Sequence, residues 1–427
     1  MAEPRPISYD APLGRRIIDL HVWAVRQGLL GIGAAELFDG FCRRLIEAGV
    51  PLWRGYTAME SLHPQWGGYG YTWRRDLNAI EPARYGRIEG QSWVTSPFAY
   101  LLRQVKTPQG EGKSWFHLRW HLTGPDAKLD FPALVELAAA GATDYFAEIV
   151  RFGVDDDPSR GTGIAYSFAT DRAEGFRDDD LALLQAVLPV VSLAMMAHAG
   201  YTIASSLLAA YLGSDAGARV HSGAIERGSV ESIRAVLWYA DIRAFTAIAE
   251  AAPGHAVIEL LNEVFETMTA SLRRRGGQVL KFMGDGMLAT FPFAEPTKEV
   301  TCRQALDAAV EAMHALAQLN GARREANKPV AAVDIALHVG EVLYGNIGAV
   351  DRLDFTVIGP AVNEVARIEA LCEPLDRSVL LSAEIAAAVG DCGRLESLGH
   401  HSLRGVRTPQ AIYGLTVAPE NLGRGFG

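Results

Sequence analysis

The stretch Gly277–Phe291, GQVLKFMGDGMLATF, constrains the fold more than any other part of the chain. Two apolar runs, QVLKFM and MLATF, hinge on an Asp-Gly dipeptide, whose tolerance of positive φ makes it a strong hairpin signal. Upstream lie a strand, SIRAVLWYADI, and a helical pattern over 254–274 that opens after Pro253. Downstream come an Ala-rich helix at 298–324 and VAAVDIALHVGEVLYG, a bent strand or a strand pair. LDFTVIG and a helix from Pro360 to about Leu371 complete the series, proline being suited to a first helical turn. Strand–helix–strand–strand–helix–strand is the ferredoxin-like order, an α+β arrangement written βαββαβ. One charge is out of place in it. Lys281 interrupts Val279, Leu280, Phe282 and Met283, where a charge needs a partner or water.

At 427 residues the chain exceeds one ordinary core, so two domains are expected. Residues 1–15 are Pro-rich and polar and read as loose; RRIIDLHVWAVRQGLL and AAELFDGFCRRLIEAGV then carry helical periodicity. Residues 50–125 are rich in Gly, Trp and Tyr and include the alternating SWFHLRWHL; ATDYFAEIVRFG and GTGIAYSFATD read as two more strands. A helix opens at FRDDDLALLQAVLPVVSLAMMAHA, its aspartates favoured at the N-terminus. This layout, with its closing SFATDRAEGFRDDDLALL, resembles a GAF/PAS-like small-molecule sensor of α+β type. The expected division is a sensory domain at 1–180, a connecting helix and linker at 181–230, and a second domain at 231–427. The Gly- and Ser-rich run 213–231 marks the boundary.

A net charge of −10 argues against a general nucleic-acid binder, which needs a basic face. Cys42, Cys302, Cys372 and Cys392 have no CxxC spacing, which gives no zinc signature and fits a reducing cytoplasm. The first thirty residues lack the basic-then-apolar pattern of a signal peptide, so a cytoplasmic location is expected. Leu181–Gly213 contains no Asp, Glu, Lys or Arg. Its many alanines, its polar residues and its acidic N-terminal flank argue for a buried interface helix rather than a membrane span. His117 and His121 offer a metal or haem ligand pair, or a structural pair among tryptophans, and 53–73 could line a pocket or cover a core.

Asp241 closes the strand AVLWYAD and Asp285 sits at the hairpin tip. Neighbouring central strands can bring two such carboxylates together, and like charges at close range need a cation between them. Oxygen ligands suit Mg²⁺ or Mn²⁺, the alternative being that each aspartate merely caps a turn. The helix entrance in IRAFTAIAE, at Phe245 and Thr246, presents amides suited to phosphate. Asn363 and Arg367 lie at i, i+4 on one helix face. Arg367 either pairs with Glu364 or another acid, or meets a developing phosphate charge as a planar fork. Thr356 is at home in any strand.

Four segments, WYADIRAFT, VLKFMGDGMLATF, ALHVGEVLYGNIG and DFTVIGPAVNEVARIEAL, occur in one order and together resemble the catalytic domain of class III nucleotidyl cyclases, over roughly 230–415. The resemblance implies that Asp241 and Asp285, helped by the Ile242 carbonyl, bind two Mg²⁺ or Mn²⁺ ions per site. It implies that Lys281 and Thr356 read the purine, Asn363 orients the ribose, Arg367 stabilises the pentavalent phosphorus, and Arg404 reaches the terminal phosphates. It further implies an antiparallel homodimer in which Asp241 and Asp285 of one copy face Lys281, Thr356, Asn363 and Arg367 of the other. Lys281, a donor, suits adenine N1, so ATP is the expected substrate and cyclic AMP the product; a guanylate cyclase or a catalytically silent homologue are the alternatives. An unidentified small-molecule or protein signal would act on the N-terminal domain. Thr356 departs from an aspartate common in the family, Ala244 from a glycine, and Pro360 from an aspartate.

Overall fold

A computed structural model describes residues 11–60, 66–77, 79–86, 94–105, 115–152, 163–390 and 393–416. Cys392 and residues 1–10 lie outside the described residues. The chain forms two compact units, Met1–Leu207 and Leu208–Gly427.

In the first unit, helices α1 (Pro12–Leu30) and α2 (Ala34–Glu47) precede strands β1 (Arg54–Glu60), β2 (Gly68–Arg74) and β3 (Ala79–Tyr85). Then come α3 (Pro97–Val105), β4 (Trp115–His121), α4 (Pro132–Ala139), β5 (Asp144–Arg151), β6 (Gly163–Thr170) and α5 (Asp178–Leu212). Residues 11–15 are not loose, since α1 begins at Pro12, whose fixed φ is pre-organised for a first turn. The strands form one antiparallel sheet in the order β3-β2-β1-β6-β5-β4. Alternation along β5 sends Phe146 and Val150 into a core with α1, α2 and α5, and Tyr145, Ala147 and Ile149 into a second core with α3 and α4.

Helix α5 is long and apolar enough to cross a membrane by composition alone. Leu183, Leu184, Val187, Leu188, Val191 and Met195 are fully buried in the first unit, which explains the missing charges in the first half of the helix; Tyr201 and Tyr211 in its second half are exposed, so burial does not extend along the whole of it. His117 stacks against Phe146 with ring centroids 6.0 Å apart, and His121 Nδ1 lies 3.6 Å from Asp144. Among the described residues no group of three or more His, Cys, Asp or Glu could hold a metal ion.

The register aligns His117, Glu148, Tyr166 and Thr57 across four strands. Tyr166 Oη meets Ser192 Oγ of α5 at 2.9 Å. Glu148 is 0% exposed, and neither of its oxygens has a hydrogen-bond partner. Burial pushes its carboxyl up to about 8.

The second unit contains α6 (Ser214–His221), β7 (Val230–Ile242), α7 (Phe245–Ala251), α8 (Gly254–Arg274), β8 (Gln278–Met283) and β9 (Gly286–Pro292). It continues with α9 (Lys298–Glu325), β10 (Val333–Gly348), β11 (Leu353–Ile358) and α10 (Pro360–Glu369). It ends with β12 (Val379–Ser382), α11 (Ala383–Val389), β13 (Leu395–His401) and β14 (Gln410–Leu415). The sheet order β13-β14-β12-β10-β7-β9-β8 contains the expected βαββαβ core as β10-β7-β9-β8, all antiparallel, with β11 paired to β10. VAAVDIALHVGEVLYG supplies one strand, not two. Helices α8 and α9 cover one face over Trp238, Phe291 and Ile335; α10 covers the other over Leu237, Ala336 and Val342.

The run 213–231 is not all linker. Gly213 and Ser214 open α6, which buries Ala216; Asp215 accepts hydrogen bonds from Arg219 Nε at 2.8 Å and Tyr344 Oη at 3.0 Å. A short helix held by tertiary packing leaves little trace in Gly- and Ser-rich sequence.

The buried acid makes stability depend on pH. Glu148 titrates higher in the folded than in the unfolded chain, so its stabilising contribution is complete below its ordinary range and is lost as pH rises through about 8. The thermal transition of the first unit is expected at lower temperature at about pH 9 than at about pH 6, and Glu148→Gln should flatten that difference. Calorimetry of both proteins across that range checks it.

Candidate active site

Asp241 ends β7 and Asp285 occupies the β8–β9 turn, and the β7–β9 pairing brings them together. The turn differs in detail from the Asp-Gly expectation. Its left-handed residue is Gly284, at φ 67°, which leaves Asp285 in ordinary backbone. Gly286 is needed for room: a Cβ there would fall 2.9 Å from Asp241 Oδ2 and 3.3 Å from both the Ala240 carbonyl and Tyr239 Oη. Burial first, and then the Asp285 charge, push the Asp241 carboxyl up to about 6. Asp241, Ile242 and Asp285 line one small cavity closed by Val264, Phe265 and Met268.

No cation answers this pair among the described residues. Arg243 is committed elsewhere, gripping Asp334 through bonds of 2.9 and 2.5 Å. Glu369, at the end of α10, adds negative field: burial, then Asp241, push its carboxyl up to about 7. Two carboxylates converging without a cation among the described residues offer hard oxygen ligands that fit divalent metal ions such as Mg²⁺ or Mn²⁺.

Asn363 and Arg367 line a different cleft of about 720 Å³. Helix α10 reaches it because β10 carries Gly340, where a Cβ would fall 2.2 Å from Ala361 Cβ. The sequence left Glu364 as one partner for Arg367. Instead Glu364 faces His338 at 3.3 Å, and Arg367 has no ion-pair partner among the described residues. Gly405, at φ 76°, lets its loop approach: a Cβ there would sit 3.4 Å from Arg367 Nη1. That loop lines the cleft with Arg407, not with Arg404, which is exposed.

Lys281 lies on the edge strand β8, exposed, and its ammonium pairs with Asp354 of β11. The apolar strand it interrupts is not buried, Phe282 being 49% exposed, so both water and a partner are at hand. Thr356 shares a face of β11 with Asp354, while Phe355 and Val357 point into the core. The expected phosphate loop is more modest than its sequence reading. Helix α7 has seven residues, and Phe245 packs against the core. Thr246 is exposed, and the amides of Phe245 and Thr246 precede the first helical bonds, Ala247 N–H and Ile248 N–H to the Ala244 carbonyl. Ala244 adopts φ 54°, the left-handed conformation that favours glycine.

Sequence reasoning missed Asp354 and Glu369. Glu369 lies two residues beyond Arg367, on another face of α10, so no helical spacing links them. Asp354 was visible only as the first letter of DFTVIG, with nothing to pair it to a strand 73 residues away.

Residues 229–416 match the family of adenylate and guanylate cyclase catalytic domains. Adenylate cyclase 1 of Rhizobium meliloti (strain 1021) is 31% identical over 178 residues, 41% of this chain and 26% of its own length. The adenylate cyclase of Anabaena cylindrica is 31% identical over 165 residues, 38% of this chain and 32% of its own length. The chain thus spans about a quarter to a third of these curated relatives. Among solved structures, that of a bacterial light-regulated adenylyl cyclase is 26% identical and covers 54% of this chain and 65% of that one, with a TM-score of 0.46. Residues 229–416, within the second unit, are thus similar to class III adenylate and guanylate cyclase catalytic domains.

The uncompensated pair has a measurable cost. With its folded-state pKa raised, Asp241 favours the metal-free fold below the ordinary carboxylate range and loses that contribution as pH rises through about 6. Asp285→Asn should therefore raise the melting temperature near neutral pH without divalent cations, and added Mn²⁺ should stabilise the parent protein more than the variant. Melting curves with and without Mn²⁺ report both effects.

Proposed function

We propose that the protein is an adenylate cyclase that converts ATP to 3′,5′-cyclic AMP and pyrophosphate at the interface of a homodimer, under control of its N-terminal unit. One observation carries this reading: among its described residues a single chain holds two incomplete halves, a carboxylate pair lacking a cation and, in a separate cleft, an arginine lacking an acid. An antiparallel second copy would set each half against its complement. Phe282, Met283, Leu353 and Ile358, on the adjoining edge strands β8 and β11, are all more than a third exposed, which supports burial against a partner.

Asp241, Asp285 and the Ile242 carbonyl would hold two Mg²⁺ or Mn²⁺ ions. Those ions supply charge neutralisation and acidify the ribose 3′-hydroxyl. The 3′-oxygen attacks the α-phosphorus, the bond to the bridging oxygen of pyrophosphate breaks, and the hydroxyl proton leaves to solvent. Asn363 orients the ribose, and the Arg367 fork meets charge developing on the equatorial oxygens. The amides of Phe245 and Thr246 are assigned to the β- and γ-phosphates, with Arg407 and Arg404 beside them. Lys281 donates to adenine N1 and Thr356 accepts from the adenine amino group. Positioning and electrostatics supply the acceleration, so no side chain is needed as an obligatory base.

A second reading, guanylate cyclase, is favoured by the Asp354 carboxylate beside Lys281, since a carboxylate accepts from guanine N1–H. The N-terminal unit is the proposed receiver of a small-molecule or protein signal. Cys42, Cys302 and Cys372 are buried free thiols, which supports a cytoplasmic location.

The test is product analysis of the full-length protein with Mn²⁺ and either ATP or GTP. Cyclic AMP from ATP is expected, abolished in Asp241→Ala and Asp285→Ala; Arg367→Ala should lower kcat by about 10²-fold or more, as for loss of one charged transition-state donor. Turnover of GTP alone would overturn the base assignment, and silence with both nucleotides would overturn the enzymatic reading.

A further inference from the structure

Lys281 is the residue on which nucleotide choice rests in the reading above, yet it has a long flexible stem on an edge strand. Something must aim it. Opposite β9, the register of β8 slips between Val279, which faces Ala289, and Lys281, which faces Leu288. Leu280 is thereby left without a counterpart, and a bulge of this kind re-aims the side chains beside it. The re-aimed ammonium meets the Asp354 carboxylate on β11. Asp354 opposes Ile347 and Thr356 opposes Gly345 on β10, so the acid and the threonine stand side by side on the outer face of the strand.

We infer that Asp354 is the positioning and specificity-determining residue of the purine site: its carboxylate holds Lys281 beside Thr356, and Lys281 in turn occupies an acid that would otherwise accept from guanine. This inference rests on the adenine-reading role proposed for Lys281. An ammonium has three donors. One spent on Asp354 leaves two, enough for adenine N1 and for Thr356. The same contact works against the wrong base. A free carboxylate accepts readily from guanine N1–H and its exocyclic amine, whereas one already bound to Lys281 does so only by giving up that partner. Both side chains are more than two-fifths exposed, 44% and 49%, and exposed ion pairs add little to stability. The pair therefore aims a donor rather than holding the fold.

The experiment measures kcat and KM for ATP and GTP on full-length wild type, Asp354→Asn, Asp354→Glu and Lys281→Gln, with melting temperatures alongside. Asp354→Asn should raise KM for ATP by up to about five-fold, the size of an exposed pair, with kcat moved less and melting temperature unchanged. Asp354→Glu, which keeps the charge, should recover most of that loss. Lys281→Gln should shift the ATP:GTP ratio towards GTP, because it frees the acid, and adding Asp354→Asn to it should remove the GTP gain. If Lys281→Gln changes selectivity while Asp354→Asn leaves KM and selectivity as in wild type, the role of Asp354 is overturned and the base-reading lysine stands. If neither changes selectivity, the assignment of Lys281 fails, and this inference with it.

Discussion

The approach of two carboxylates, Asp241 and Asp285, is the interaction around which the second unit is arranged. Like charges do not gather in a half-buried place without help. Here the help is hydrogen-bonded strand pairing and local geometry. Antiparallel pairing of β7 with β9 sets the strand ends side by side, and Gly286 gives up its Cβ so that Asp241 has room. Nearby acids are handled differently: Arg243 neutralises Asp334, whereas Glu369 is left to raise the local negative field. Among the described residues no side chain balances this concentrated charge, which is what supports the proposal that the pair holds cations.

The same sheet also keeps the other half of the chemistry away from that pair. Helix α10 lies on the opposite face from α8 and α9, seated on β10 through the gap at Gly340, and it presents Asn363 and Arg367 to a cleft of its own. Lys281, Asp354 and Thr356 gather on edge strands next to exposed apolar side chains. In the proposed homodimer a second copy would act twice, completing the site and burying that apolar edge.

Much of this was legible in the sequence because it is periodic or local. The βαββαβ order follows from strand and helix patterns, while the roles proposed for Asp241, Asp285, Asn363 and Arg367 rest on family resemblance. What escaped was non-local or small. Asp354 gains meaning only when β11 is laid beside β8, and Glu369 only when α10 is seated on the sheet. Helix α6 is too short to show against its glycines, and the first turn at Pro12 was hidden by a polar, Pro-rich context. Ala244 stands where the family has glycine, and its left-handed backbone gives the physical reason for that preference.

In the proposed dimer each site draws Asp241 and Asp285 from one copy and Arg367 from the other, and co-expression of Asp285→Ala with Arg367→Ala, each expected to be inactive alone, decides whether it does. Each alone leaves every site defective, whereas a mixed dimer contains one site with neither lesion. Cyclic AMP formation is expected to return to about a quarter of the wild-type rate, since half of randomly paired dimers are mixed and one of their two sites is whole. Activity no greater than that of the separate variants, with mixed dimers demonstrably formed, would contradict it.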